Sequence, residues 1–384
     1  MGLNPTGLSC EEVLDELIAA HDLDQHFRDG RIMGSMCTSP DELAKEAYML
    51  FIESNLGNPG LCEGTSVLEQ KVIGMLLDLM GLTQEIPGSD RAGGQMVSGG
   101  TEANITALWI ARNLTGKREF IIPESAHFSL FKAADLLGLT PRVARLTDKF
   151  QMDLDHLQEL IGPDTAAIVG IAGTTELGQV DPIAEIGTIA LDARVPFHVD
   201  AAFGGFVLPF LPDFKDIYDF RSPGVSTMGV DPHKMGLATI PSGALLLRDG
   251  SLMDRIAVRT PYLTSEKNAS LSGTRNSASV AATYAILRHL GYQGYKSVVD
   301  RCMDDSRYLA SKLKGLGIQP VLEPIVNVVA GRTRDPHSVV KAMRAKGWHL
   351  SVASHPPSIR FIIMPHISRS HIDAMLIDLE DILG

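Results

Sequence analysis

Between residues 93 and 247 the chain alternates short apolar runs with amphipathic stretches, and this alternation restricts the possible folds more than any other feature. Gln95-Met96-Val97, Glu119-Phe120-Ile121-Ile122, Ala166 to Ile171, Pro196 to Asp200 and Ala244 to Leu247 have the length and aliphatic content of strands. Glu102 to Arg112, Phe128 to Leu137 and Ile183 to Asp192 place apolar residues at helical spacing. A helix between successive strands returns the chain to the same end of the sheet, so the strands pair in parallel and the helices cover both faces. The expectation is an α/β domain with a mostly parallel sheet.

The flanks read differently. Ser9, followed by Glu11 and Glu12, starts a helix whose apolar stripe is Val13, Leu14, Leu17 and Ile18. So short a helix cannot bury that stripe alone and must dock on the body or on a second subunit. Asn55-Leu56-Gly57-Asn58-Pro59-Gly60 is a loop, and Thr65 to Leu79 is a helix. A polar break, Arg259 to Arg275, precedes helices at Val280 to Leu290 and Tyr295 to Leu316. Strands at Ile325 to Ala330 and Ile359 to Met364 then flank a helix at Val339 to Lys346. The pattern divides the chain into a helical arm (1–50), a large domain (51–275) and a smaller C-terminal α+β domain (276–384).

Composition removes several functions. The chain of 384 residues has a formal net charge of −12 and no long Lys/Arg run, which argues against nucleic acid or anionic membrane as partners. The four cysteines form no CxxC pair and the histidines lack ligand spacing, so free thiols and no metal are expected. No basic start leads into an apolar run, and nothing approaches the ~20 apolar residues of a membrane span. A cytoplasmic protein is the expectation.

Three constellations carry chemistry. Ser98-Gly99-Gly100-Thr101-Glu102-Ala103-Asn104 joins a strand to a helix. Its glycines let backbone approach an anion, and the first-turn N–H groups would bind it. Alone, the segment is equally a helix cap. His198-Val199-Asp200-Ala201-Ala202 ends an apolar strand in a carboxylate, at the end of a parallel sheet where ligands bind. Alone, such an Asp is more often a cap. Asp231-Pro232-His233-Lys234-Met235-Gly236 places a lysine in an apolar, Gly-rich run, where a desolvated amine suits Schiff-base chemistry; alone it reads as a surface lysine.

Together the three match what pyridoxal 5′-phosphate (PLP) requires: a phosphate cradle, a carboxylate for the pyridine nitrogen and a lysine for the aldehyde. His127, in Ser125-Ala126-His127-Phe128-Ser129, lies between the first two. With these motifs, and with Gly34-Ser35-Met36, Asn55-Leu56-Gly57, Gly173-Thr174-Thr175-Glu176-Leu177-Gly178, Gly273-Thr274-Arg275 and Met364-Pro365-His366, the chain resembles the group II PLP-dependent amino-acid decarboxylases. It is most similar to the tyrosine/aspartate decarboxylases of methanogenic archaea.

The resemblance implies an aspartate-aminotransferase-like, type I PLP fold with a seven-stranded sheet, working as a homodimer whose site lies at the subunit interface. It implies that Lys234 carries the cofactor, Asp200 holds the pyridine nitrogen and His127 stacks on the ring with Ala202 opposite. Ser98, Gly99, Gly100 and Thr101 would bind the phosphate, with Gly273 and Thr274 reaching the partner's. Thr175 would lie near the cofactor's hydroxyl edge, and His233 precedes the lysine as in the family. Tyr262 would return a proton to Cα from a mobile loop, or else anchor the interdomain linker. Arg360 and Asn58 would contact the substrate, Arg360 through its α-carboxylate. The implied reactions are L-tyrosine to tyramine, for methanofuran, and L-aspartate to β-alanine, for coenzyme A. Met235 stands where many members have tryptophan, and Asp-Pro-His-Lys-Met-Gly also resembles the sphingosine-phosphate lyase branch. A carbon–carbon lyase, or a glutamate decarboxylase-like activity, therefore stays open.

Overall fold

The computed structural model describes residues 2–3, 6–83 and 89–383. The chain opens with helix α1 (Cys10–His21), closed by a reciprocal cap in which the Ser9 hydroxyl accepts from the Glu12 N–H and the Glu12 carboxylate accepts from the Ser9 N–H. None of its residues is buried, and Leu14, Leu17 and Ile18 are more than half exposed. Helices α2 (Glu42–Leu50) and α3 (Glu63–Leu79) follow.

The large unit then runs β1 (Gly93–Val97), α4 (Gly100–Thr115), β2 (Glu119–Pro123), α5 (Phe128–Leu137), β3 (Thr140–Ala144), α6 (Leu154–Leu160), β4 (Thr165–Ile171), α7 (Ile183–Ala193), β5 (Phe197–Asp200), β6 (Val225–Val230) and β7 (Gly243–Leu247). These strands form one seven-stranded sheet in the order β1-β7-β6-β5-β4-β2-β3. β7 pairs antiparallel with both β1 and β6, and every other pairing is parallel. The mostly parallel α/β sheet expected from the alternation is therefore present. β4, β5 and β7 are buried along their whole length, as strands covered on both faces must be.

A small hairpin, β8 (Val258–Arg259) with β9 (Lys267–Asn268), leads into α8 (Ser277–Gly315). The two helices expected here form one run broken at Gly291, whose φ of 53° and ψ of −170° are not helical. A side chain would resist that φ, so glycine marks the break. Before the break α8 contributes Val280, Ala282 and Ile286 to the large core; its far end supplies Leu309, Ala310 and Leu313 to a second core. Just after the break the buried Tyr295 hydroxyl donates to the Gly236 carbonyl, 2.8 Å away, bracing the loop that carries Lys234.

The C-terminal part adds β10 (Val328–Arg332), α9 (Pro336–Ala345), β11 (Ser351–Ser354), β12 (Pro357–Ile362) and α10 (Arg369–Leu383), with a three-stranded antiparallel sheet ordered β10-β12-β11. Its core centres on the buried Trp348 and Phe361, with Met33 from the N-terminal segment. Among the described residues no helix is long and apolar enough to cross a membrane.

Candidate active site

The carboxyl ends of β1, β2, β4, β5 and β6 all point to one side of the sheet, and the segments leaving them line a cavity of about 390 Å³. β1 supplies Ser98, Gly99, Gly100 and Thr101; β2 supplies Ser125 and His127; β4 supplies Gly173 and Thr175; β5 supplies Asp200 and Ala202; β6 supplies Asp231, His233 and Lys234. The three constellations of the sequence thus meet in one place.

Gly100 opens α4, so the free N–H groups of the first turn face the cavity with the positive end of the helix dipole. A Cβ on Gly100 would come within 2.9 Å of the Ala202 Cβ, so the cradle has no space for a side chain there. The backbone N–H of Ser98 is already committed to the Glu102 carboxylate, at 2.7 Å, which leaves its hydroxyl as the free donor.

Asp200 is buried. One of its oxygens accepts from the Ala202 N–H at 3.1 Å and the other from the Asn104 carboxamide at 2.8 Å. His127 caps α5: its Nδ1 accepts from the Ser129 N–H and lies 2.9 Å from the Ser129 hydroxyl. Burial pulls its pKa below the ordinary histidine value, against the opposing pull of Asp200, and the ring is neutral near pH 7.

Lys234 Nζ lies 3.1 Å from Asp231 Oδ2. Burial alone would lower the lysine's pKa, but Asp231 and then Asp200 outweigh it, so the ammonium is held above the usual lysine range. His233 turns Nδ1 to the Ser242 carbonyl, and its Nε2 stands 4.0 Å from Asp231.

The remaining expected residues lie outside this cavity. Tyr262 is 83% exposed, on the turn between β8 and β9. Asn58 accepts from the Thr264 N–H at 3.0 Å, which ties its loop to the segment carrying Tyr262. Thr274 lines a smaller neighbouring cavity that shares Ser98 and Pro241 with the first, and Gly273 packs beside Gly57. Arg360 is half-buried, with all three nitrogens on protein acceptors: the Ser351 hydroxyl at 2.8 Å, the Thr175 carbonyl at 2.5 Å and the Gly34 carbonyl at 3.1 Å.

The sequence assigns no role to several residues of the site, among them Asp231, Asn104, Ser129, Ser125 and Gly173. Asp231 and Asn104 lie inside the Lys234 and Gly-rich motifs, and Ser129 lies two residues after His127. The available signal is an amide flanked directly by Ala103 and Ile105 near the start of a helix.

Nothing in the cavity conflicts with PLP. The donor-rich helix terminus, the buried carboxylate and the lysine face one volume, and the Gly100 backbone leaves room for an anion. Residues 64–329 match the pyridoxal-dependent decarboxylase conserved domain. The chain belongs to that family, and its cofactor is PLP. It is 46% identical over 380 residues to a probable L-tyrosine/L-aspartate decarboxylase of Methanothrix thermoacetophila, covering 98% of this chain and 96% of that one. It is 41% identical to a probable L-aspartate decarboxylase of Archaeoglobus fulgidus, with 97% and 99% covered. Among solved structures, a sphingosine-1-phosphate lyase of Burkholderia pseudomallei superposes with a TM-score of 0.90 at 27% identity, covering 99% of this chain and 92% of that one. A glutamate decarboxylase of Lactobacillus brevis gives 0.87 at 20% identity, with 99% and 93% covered, and shares the fold.

Proposed function

We propose that this protein removes the α-carboxylate of an L-amino acid, with L-tyrosine and L-aspartate as its substrates. The observation that carries the reading is the convergence of Lys234, Asp200, His127 and the α4 N-terminus on one cavity. The substrate choice rests on the names of relatives 41–46% identical along almost the whole chain.

Bound here, PLP supplies an electron sink for the pair released as the bond from Cα to the carboxylate breaks. Lys234 is the amine that holds its aldehyde carbon. Asp200 keeps a proton on the pyridine nitrogen, and the Ala202 and Asn104 hydrogen bonds fix both carboxylate oxygens for that task. Ser98, through its hydroxyl, with Gly99, Gly100 and Thr101, would hold the phosphate. His127, neutral, would cover one face of the ring and Ala202 the other, with Thr175 near the hydroxyl edge. His233 braces the lysine turn through Ser242.

Tyr262 donates the proton that Cα needs after carbon dioxide leaves. Its exposure suits a residue that serves the partner subunit's cavity in a homodimer, as do the positions of Gly273 and Thr274 at the rim. The exposed stripe of α1 suits the same assembly. Arg360 meets the substrate carboxylate by releasing Thr175 or Gly34, and Asn58 orders the loop around it. In this reading residues 51–275 are the cofactor domain, 276–384 the small domain and 1–50 the arm. The enzyme is cytoplasmic; tyramine feeds methanofuran synthesis and β-alanine feeds coenzyme A synthesis.

The test is incubation of PLP-loaded protein with a panel of amino acids, measuring carbon dioxide and amine. Equal yields of the two from tyrosine or aspartate are expected. No carbon dioxide from any amino acid, with cleavage of a phosphorylated amino alcohol instead, would transfer the protein to the carbon–carbon lyases that share its fold.

A further inference from the structure

Asn104 is fully buried on the second turn of α4, and both N–H donors and the oxygen of its carboxamide have partners. The nitrogen donates to Asp200 Oδ2 at 2.8 Å and to Ser129 Oγ at 2.9 Å. The oxygen lies 2.9 Å from His198 Nε2. The Asp200 carboxylate only accepts, so the amide nitrogen must face it and the oxygen must face His198.

That orientation decides where protons sit on two histidines. His198 is buried beneath the sheet end, and burial lowers its pKa to about 4, so it is neutral. Since the Asn104 oxygen only accepts, His198 carries its proton on Nε2, and Nδ1 accepts from the Thr227 hydroxyl at 2.8 Å. On the other side, Ser129 Oγ accepts from Asn104 and sends its own proton to His127 Nδ1, 2.9 Å away. The Ser129 backbone N–H points at the same nitrogen. His127 therefore carries its proton on Nε2.

We propose that Asn104 is a positioning residue that sets two parts of the site together: the orientation of the Asp200 carboxylate and, through Ser129, the tautomer of His127. A single amide thus couples the group assigned to the pyridine nitrogen with the ring assigned to stack on the cofactor. The proposal goes beyond the decarboxylase reading but takes from it the roles of Asp200 and His127.

Two measurements test it, one without cofactor. In apo protein labelled with 15N-histidine, long-range correlation spectra near pH 7.5 should show Nδ1 unprotonated and Nε2 protonated for both His127 and His198. Ser129→Ala leaves only the longer backbone N–H contact, at 3.3 Å, on His127 Nδ1, so part of the His127 population should shift to the Nδ1-protonated tautomer while His198 stays unchanged. Asn104→Asp, nearly isosteric, turns a second carboxyl against Asp200 and should disturb both histidines. In the second measurement, the dissociation constant of PLP, followed by absorbance, should rise at least about tenfold in Asn104→Asp and less in Asn104→Ser, which keeps one donor. A merely structural amide would lower the melting temperature and leave tautomers unmoved. Wild-type His127 protonated on Nδ1 would overturn the proposal, as would wild-type tautomers in Ser129→Ala. Wild-type PLP affinity in Asn104→Asp would do the same, and if that variant does not fold, Asn104→Ser and Ser129→Ala decide. If the wild-type protein itself fails to bind PLP, the cofactor reading fails, while the histidine spectra still judge Asn104.

Discussion

Lys234 Nζ lies 3.1 Å from Asp231 Oδ2, and the other oxygen of that buried carboxylate has no hydrogen-bond partner among the described residues. The lysine proposed to act as the nucleophile is thus held as an ammonium by a carboxylate on its own turn. The pair stabilises the fold while Lys234 is charged; that contribution is lost as pH rises through the lysine's raised pKa. The free amine needed to capture an aldehyde grows about tenfold per pH unit below that pKa. Covalent capture of PLP by wild-type apoprotein should accelerate from pH 6 to 9. Asp231→Asn removes the main stabiliser of the ammonium, so its capture should be faster at pH 6–7 and its profile shifted to lower pH. Borohydride trapping at timed intervals measures this, and superimposable profiles would remove Asp231 from the account.

Lys234→Ala should bind PLP only reversibly, with no trapping by borohydride and no turnover. Full activity after borohydride treatment would refute the assignment of the lysine.

Asp200→Asn should retain part of its PLP and lose most activity, because the ring nitrogen is no longer held protonated. A fall in kcat of less than about tenfold, or ~1.4 kcal/mol, would mean that another group serves that nitrogen.

Tyr262→Phe should leave PLP binding intact, since an exposed hydroxyl contributes little to packing. Amine formation should drop by roughly 10²–10⁴, the usual worth of a general acid. Carbon dioxide should persist, with aldehyde and ammonia appearing as dioxygen intercepts the unprotonated product. Unchanged amine at the wild-type rate, or lower stability with an unchanged product ratio, would make Tyr262 an anchor of its loop.

The buried His198 gives a pH signature. Its pKa is about 4 in the fold, below the ordinary 6.5, so the unfolded chain binds the proton first as pH falls. Its contribution to stability is therefore lost as pH falls below about 6.5, the ordinary histidine value. Asp181 opposes it: burial raises that carboxyl to about 6, and its share grows as pH falls through the same range. The difference between wild type and His198→Gln isolates the histidine. Urea midpoints at pH 7, 5.5 and 4.5 should converge on acidification; parallel curves would place the titration elsewhere.

Much of this was legible before any coordinates. Strands β2, β4 and β7 announce themselves as near-continuous apolar runs, while β1, an edge strand, and β5 show only short apolar stretches that lead into the Gly-rich and Asp-bearing motifs. β3 and β6 do neither: β3, Thr-Pro-Arg-Val-Ala, is a half-exposed edge, and β6, Val-Ser-Thr-Met-Gly-Val, is buried yet carries Ser, Thr and Gly. β3 has solvent for its polar side chains, and in β6 Thr227 is satisfied by His198, a contact that local pattern cannot reveal. Lys234, Asp200 and His127 stand out in the sequence because three separate motifs, ambiguous singly, match one cofactor, and all three line one cavity. Asn104 was overlooked because its meaning lies in residues 25 and 94 to 96 positions away. The outward positions of Tyr262 and Gly273 depend on how a polar segment leaves the body, which no periodicity encodes.

The three acceptors of Arg360 belong to three different stretches of chain: the segment before α2, the turn after β4 and strand β11. Each bond from a charged donor is worth about 1.5–3 kcal/mol. The guanidinium is thus a clasp: the Ser351 hydroxyl, on the strand paired with its own, would move with it, but swinging the C-terminal part outward would strip a half-buried cation of the Thr175 carbonyl on the large unit. Such an opening would be slow and steeply temperature-dependent. Admission and release of small molecules should therefore fall to the short hairpin at 258–268, whose displacement disturbs none of these bonds, so stiffening that hairpin, not the clasp, is the change that would throttle exchange at the cavity.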